Sequence, residues 1–330
     1  MPGDPPPVTL PPLDGPSPPG SRTVTTDDGV DLHVEFDGVA GGGGAGGGTD
    51  APLTVVLSHG FTARLAEWEP QRAALRDRAR LVLWDQRGHG RSGWTPLTRA
   101  TIDRTGHDLG QVLDAVAPAG PVVLAGHSMG GMSILALARQ RPELFGTRVV
   151  GAFLLATSAG GLVAGGLTGF LVRVLRRLRL LRLYLWLLQR LAPALERRRR
   201  RGTFLGRQAI RRLLFGRDDA DRRSVRMVQQ LLEETPLPVT MAFYATFLDH
   251  DETAALEVLR RVPVTVVAAT HDRLTPEAHG RRIAEAVGPG AELVVVPGAG
   301  HSVNLTRTEV VNRAFAGLLD RVQVEGRRAG

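Results

Sequence analysis

The chain has 330 residues, 43% apolar and 22% charged, an ordinary globular balance that allows a sizeable core. It contains no cysteine, which excludes disulfides, thiolate metal sites and a cysteine nucleophile. The formal net charge of +8 belongs to one segment: residues 170–226 hold 18 Arg against four acids, the remainder holds 23 Arg against 29 acids, and no Lys occurs anywhere.

In chain order, residues 1–21 come first, with nine prolines in the first 20 positions and no apolar h-region. They read as an extended, disordered tail and not as a signal peptide. From Arg22 to Gly38 the residues alternate around Asp28-Gly29, the pattern of a β-hairpin. Eight glycines between Gly38 and Gly48 then make a flexible surface loop with too few side chains to build a site. Short β-branched runs follow at 53–58, 81–84, 121–126, 149–156, 263–269 and 292–298. They are bounded by Gly or Pro and lack strict alternation, which suits strands buried on both faces. Helical patterns near 103–116, 129–140, 277–287 and 307–322 separate them. This order predicts an α/β fold, a mostly parallel central sheet flanked by helices.

The alternation stops between residues 158 and 250. That window reads as a helical, Arg-rich insertion between two parts of one core, 22–157 and 251–324. At its entrance, residues 149–172 are 24 consecutive uncharged positions, the length of a membrane span. Six of them are glycine and the first eight already read as a strand, so a buried strand followed by a Gly-rich loop is expected.

The sharpest chemical signal is LAGHSMGG at 124–131, where Gly126-His127-Ser128-Met129-Gly130 fits G-x-S-x-G between a strand and a helix. A serine on so tight a turn has strained dihedrals and a projecting hydroxyl, and only small residues two before and two after leave room for it. The helix start also aims the Met129 amide at developing negative charge. A serine hydroxyl needs a base, and the base needs an orienting acid. His301 lies in the loop after the last strand run, and Asp272 lies three residues past the run before it. A second oxyanion donor is expected from the early loop LSHGFTA, as the backbone N–H of Phe61, with His59 shaping the turn.

On His59-Gly60-Phe61, DQRGHGRS at 85–92, GHSMGG at 126–131, Asp272 and GAGH at 298–301, the chain resembles the α/β-hydrolase family over about residues 22–157 and 251–324. The likeness falls in the subset with a serine nucleophile, lipases and esterases among them. It implies a Ser128–His301–Asp272 triad, cleavage of carboxylic esters and no cofactor. The same triad serves C–C bond hydrolases and cofactor-free perhydrolases, and a sensor that stalls as an acyl adduct would share it. Three weaker matches carry little. Gly88, Gly90 and Gly93 fit G-x-G-x-x-G, with Asp108 where a ribose acid would fall, but a Pro-containing loop follows and not a helix. Asp85 and Arg87 are expected to brace that loop instead. Asn304 opens a glycosylation sequon, expected to be inert, and no His/Asp/Glu cluster has metal-ligand spacing on one helix.

In this fold an insertion after the run at 149–156 forms a lid. At 100° per residue Phe170, Leu171, Val174, Leu178, Leu181, Leu185 and Leu188 share an arc of about 100° that contains no Arg, which predicts one amphipathic helix with its apolar side inward. Its arginines face water or an anionic membrane that delivers lipid esters. A membrane-surface protein with this helix as its main function is the alternative from another class. Nucleic acid is not expected as a partner, because no reader motif is present. The expected location is cytoplasmic, with or without peripheral membrane contact. Phe243, Phe247 and Leu248, near the end of the window, are candidates for the wall of an acyl pocket.

Overall fold

The strands are β1 (Arg22–Thr25), β2 (Asp31–Gly38), β3 (Thr54–Ser58), β4 (Arg80–Trp84), β5 (Val122–His127), β6 (Val149–Leu155), β7 (Val264–Ala269) and β8 (Ala291–Val296). They form one sheet in the order β1-β2-β4-β3-β5-β6-β7-β8. This computed structural model describes residues 17–18, 20–39, 53–94, 99–162, 174–175, 177–180, 183–184, 186–187, 190–191, 211–216, 221–247 and 249–329. Pairing is antiparallel for β1–β2 and β2–β4 and parallel elsewhere. The Asp28-Gly29 turn closes the first hairpin, with Gly29 at φ 81° and the Thr26 N–H bonded to the Val30 carbonyl.

The missing alternation in the strand runs has a direct cause. Val56, Val82, Leu124 and Leu154 enter one apolar cluster, while Val55, Leu57, Leu81, Val123 and Phe153 enter another on the opposite face. Helices cover both faces, so both sides of each strand must be apolar. The first cluster is closed by α2 (Ile102–Val116), α3 (Met129–Gln140) and α6 (Glu277–Val287). The second is closed by α1 (Glu69–Leu75) and α7 (Thr308–Ala329), where Phe315 stacks on Phe153 at 4.2 Å. Helix α1 is absent from the sequence reading, because seven residues are too few to show a helical period. Helix α7 runs seven residues past its predicted end.

Residues 156–263 join β6 to β7 and hold α4 (Arg222–Glu234) and α5 (Leu237–Phe247). Asp221 caps α4, its side chain accepting from the N–H groups of Arg223 and Ser224. The roots of this insertion are tied by a Gly160–Asp251 bridge and by the Glu252 N–H donating to the Ala159 carbonyl at 2.6 Å. Its helices return to the sheet's carboxyl edge. Met227 and Leu231 pack with Ala63 and Ala66, and Arg64 pairs with Glu234 at 2.7 Å.

The single amphipathic helix predicted from residue 170 is interrupted. The Leu178 N–H bonds the Val174 carbonyl and the Leu180 N–H bonds that of Leu175, with Arg179 between them at φ 57°. This is a Schellman stop, with arginine in the left-handed position that glycine usually holds. The stop resets the helical phase, so the predicted inward arc does not continue through Leu178, which is 58% exposed. Val174 is half-buried, while Phe170, Leu171, Leu181, Leu185 and Leu188 lie outside the described residues. Also outside them are most of the Pro-rich tail and most of the Gly-rich loop. Among the described residues no helix is long and apolar enough to cross a membrane.

Candidate active site

β5 ends on His127, and the chain turns at once into α3. Ser128, between them, has φ 50° and ψ −112°, a backbone state that costs of order 1–3 kcal/mol for a residue with a side chain. Surrounding contacts hold it there. The Ser128 N–H donates to the Leu155 carbonyl at 2.9 Å, and the Thr157 hydroxyl donates to the Ser128 carbonyl at 2.7 Å. The flanking glycines are required by contact. A Cβ on Gly126 would overlap the Gly130–Gly131 peptide, and one on Gly130 would overlap the Ser58 carbonyl. At Gly131 it would meet Thr157 Oγ1 at 2.6 Å.

Asp272 and His301, from the loops after β7 and β8, meet with His301 Nδ1 2.7 Å from Asp272 Oδ2. The Leu274 and Thr275 N–H groups donate to Asp272 Oδ1 at 2.8 and 2.9 Å, and the Thr275 hydroxyl lies 2.8 Å from Oδ2. Burial pushes the Asp272 carboxyl up, but the His301 ring and these donors outweigh it and hold it below its ordinary value. An ionised Asp272 accepts from Nδ1–H and leaves Nε2 as the unprotonated nitrogen of His301. Thr275 is absent from the sequence reading, although a Thr three residues after an Asp is a turn signal that points to it. No hydrogen bond joins Ser128 Oγ to His301. The two are linked through His127, whose ring centroid is 4.9 Å from that of His301.

The turn after β3 is held by a neutral His59. Its Nδ1 donates to the Gly60 carbonyl at 2.7 Å, and its Nε2 accepts the Gln86 N–H at 2.9 Å. Burial first, and His89 second, drive its pKa well below the ordinary value. Gly60 donates its N–H to Glu67 Oε1 at 2.9 Å. Among the described residues, neither the Phe61 nor the Met129 amide donates to a protein acceptor. At Met129 this follows from its position at the first turn of α3.

Phe243 is buried, 5.4 Å from the His89 ring and 6.4 Å from that of Phe61, and Phe247 meets Phe61 edge-on at 4.9 Å. Leu248, the third predicted wall residue, lies outside the described residues. Asp85 accepts the Leu65 and Arg91 N–H groups, bracing its loop as expected. Arg87 is fully buried and forks onto Asp108 at 2.5 and 2.7 Å, with Asp28 beyond, so the acid that a dinucleotide would need is bound up in an ion pair. Asn304 is buried too, with its side-chain amide donating to the Glu67 carbonyl. A separate cleft of about 260 Å3 at the roots of the insertion, lined by Asp251, His279 and Arg282, includes none of the predicted site residues. Among the described residues no group of three or more His, Asp or Glu could hold a metal ion.

Comparison with known proteins agrees with this frame. The chain is 30% identical over 286 residues to the dihydrolipoyllysine-residue acetyltransferase component of the acetoin cleaving system of Pseudomonas putida. That alignment covers 84% of this chain and 65% of the length of that protein. It is 29% identical over 278 residues to a candidate carbamate hydrolase, RutD, of Caulobacter sp. (strain K31), covering 83% of this chain and 93% of that one. A thermophilic esterase from Thermogutta terrifontis superposes with a TM-score of 0.70 at 23% identity, over 92% of this chain and 98% of that chain. The enol-lactonase from Burkholderia xenovorans LB400 gives 0.68 at 24%, over 91% and 100%. At such identities these two likenesses speak for the fold. Residues 55–314 match the profile described as Alpha/beta hydrolase family, and the chain therefore belongs to that family.

Proposed function

We propose that the protein is a serine hydrolase that cleaves carboxylic esters with an apolar acyl part. The observation that carries this reading is the strained Ser128, on a turn that only glycines at 126 and 130 permit, next to an oriented His301–Asp272 pair. Ser128 Oγ attacks the acyl carbon while His301 Nε2 takes its proton, and the Phe61 and Met129 amides receive the oxyanion. The intermediate collapses with loss of the alkoxide, which takes the proton back from His301. Water, deprotonated by the same nitrogen, then attacks the acyl-enzyme and releases the acid with Ser128 restored. That no hydrogen bond yet joins Ser128 to His301 fits this cycle, since such bonds commonly tighten only with substrate bound. Phe243 and Phe247 against Phe61 supply apolar surface beside the oxyanion donor. The names of the two sequence relatives, an acetyltransferase component and a candidate carbamate hydrolase, both describe attack on a carbonyl carbon. Ser128→Ala should lose both ester turnover and labelling by a fluorophosphonate probe; normal labelling of the variant refutes the assignment.

A second observation extends the reading to lipids. In the insertion Leu178, Leu183 and Trp186 are 58, 51 and 47% exposed, with Leu180, Leu187 and Leu191 also exposed and Arg177, Arg179 and Arg190 among them. The Arg190 guanidinium lies 4.7 Å over the Trp186 ring. Exposed leucine and tryptophan interleaved with arginine match an anionic lipid surface, where apolar groups enter the acyl boundary and each guanidinium meets phosphate. In this reading the insertion is a lid that docks on membrane and passes lipid esters to Ser128. The test is an ester series of increasing chain length, run with and without anionic vesicles. Long esters hydrolysed faster on vesicles support it. Activity confined to short soluble esters and indifferent to vesicles sinks it.

A further inference from the structure

Next to the His301–Asp272 pair stands a second buried acid–histidine pair that the reaction above does not use. Glu67 lies in the single helical turn Leu65–Trp68 after the Gly60 loop, and His127 is the residue before Ser128. Both side chains are buried. His127 Nδ1 is 2.7 Å from Glu67 Oε1, and His127 Nε2 is 3.2 Å from the backbone carbonyl oxygen of His301. The same Glu67 Oε1 accepts the Gly60 N–H at 2.9 Å. The His301 carbonyl oxygen can only accept, so His127 Nε2 donates to it, and with Glu67 ionised Nδ1 donates as well. A neutral imidazole has only one N–H, so a Glu67 carboxylate in this place calls for the imidazolium. The ionisable neighbours fit a cation here. Glu67 faces it from the Leu65–Trp68 turn and Asp272 from the loop after β7, whereas His301 and the neutral His59 stand on its other sides. Burial works against the charge, but Glu67 foremost, then the His301 carbonyl and Asp272, raise the His127 pKa overall.

We propose that Glu67 and His127 form a positioning ion pair, a strut that ties the oxyanion turn at Gly60 to the backbone of His301 across the nucleophile. The inference rests on the serine-hydrolase reading and deepens it. The strut couples two loops, one from the end of β3 and one from the end of β8, that no backbone hydrogen bond joins among the described residues. It also explains Gly60: a Cβ there would stand 2.7 Å from His127 Nδ1. Small residues are needed where the pair passes close under the turn. Neither side chain is a catalytic residue, because each acts through groups that are.

The expected consequences can be read from activity and from spectra. Glu67→Gln removes the charge that keeps His127 doubly protonated. It should lower kcat by about 10- to 100-fold with KM within about twofold, the scale of a slightly misplaced reacting group. The alkaline limb of the kcat/KM profile, where His127 loses its second proton, should move to lower pH in that variant. Glu67→Asp keeps the charge and should leave that limb within about half a unit of the wild-type position. A uniform fall in kcat with no movement of the limb would mean a purely structural role and overturns the proposal, as does an unchanged kcat. Should Glu67→Gln not fold, NMR of the wild-type protein decides. Two slowly exchanging ring N–H protons on His127 at neutral pH, assigned by their loss in His127→Asn, support the pair, and a single one overturns it. That spectrum involves no turnover, so it separates failure of the strut from failure of the hydrolase reading.

Discussion

The carboxyl edge of the sheet and the exposed residues described between 177 and 191 treat strain and apolar surface in opposite ways. Among the described residues, four without glycine's freedom have positive φ: Thr62, Ser128, Ala156 and Arg179. The first three follow β3, β5 and β6, at adjoining ends of the sheet, and a dense hydrogen-bond net surrounds them. Ser128 is held by Leu155 and Thr157, Ala156 by bonds to Val267 and Thr275, and Thr62 by His89. Arg179 is left-handed for a different reason, because it ends a helical turn in water. At the edge, buried polar groups over-determine one geometry, which is what a reacting group needs. Between 177 and 191 the described leucines and arginines are exposed alike, and the turn at Arg179 is set by one local stop. Chemistry that depends on tenths of an ångström belongs to the first kind of environment, and contact with a soft surface can belong to the second.

Substitutions can break this contrast, and the largest effect is expected at the edge. Asp272→Asn keeps the shape but offers His301 the wrong hydrogen-bond partner, so kcat should fall about 10^4-fold with an unchanged melting curve. A loss below tenfold in steady-state assays would remove Asp272 from the orienting role. Gly130→Ala puts a Cβ on the Ser58 carbonyl. It should cost more than about 4 kcal/mol, seen as loss of the folded fraction in urea titrations, and a normal midpoint would show that the edge can yield.

Acidification tests the same edge without mutation. His59 and His89 are buried and neutral, with the His89 pKa lowered from 6.5 to about 4 by burial and that of His59 lowered as well. Between those two pH values the unfolded chain binds protons that the folded protein refuses, so stability is full above about 6.5 and drains away as pH falls. His89 alone should cost roughly 3 kcal/mol on going from pH 7 to 4. A flat urea midpoint over that range would contradict a neutral buried ring.

The smallest effects belong to the exposed stretch. Arg179→Gly relieves the left-handed backbone and should raise stability by roughly 0.5–1 kcal/mol without altering turnover of a soluble ester. Leu183→Ser combined with Trp186→Ser should shift stability by no more than about 0.5 kcal/mol. The same pair should abolish sedimentation with anionic vesicles, and retained sedimentation would detach these residues from lipid contact.

Much of the edge is legible in the chain itself, because its constraints are local. The strand runs fall within one or two residues of the observed strands, and α3 and α6 match their predicted spans. The strained turn at Ser128 and the Asp272–His301 contact are foreshadowed because G-x-S-x-G states a steric requirement in five letters and the other two residues sit just past strand ends. Glu67 was not readable as a partner of His127, since 60 residues separate them and a Glu in a short turn resembles any solvated acid. Thr275 was hidden in the same way, as an ordinary turn residue until Asp272 faces it. The Arg179 stop eluded the helical period because no glycine marks it.

What the amino-acid sequence determined by itself was the order of the elements, the two-faced burial of the strands and the tight turn at Ser128. Each is set by residues within a few positions of one another, through side-chain period, chain stiffness and the space a Cβ occupies. Tertiary structure alone decided which buried groups share a proton or a charge: Arg87 with Asp108, His301 with Asp272, His127 with Glu67. It also decided that the described leucines and arginines between 177 and 191 are exposed alike. Pairing and exposure depend on distances between loops far apart in the chain, and only folding of the sheet brings those loops to one edge.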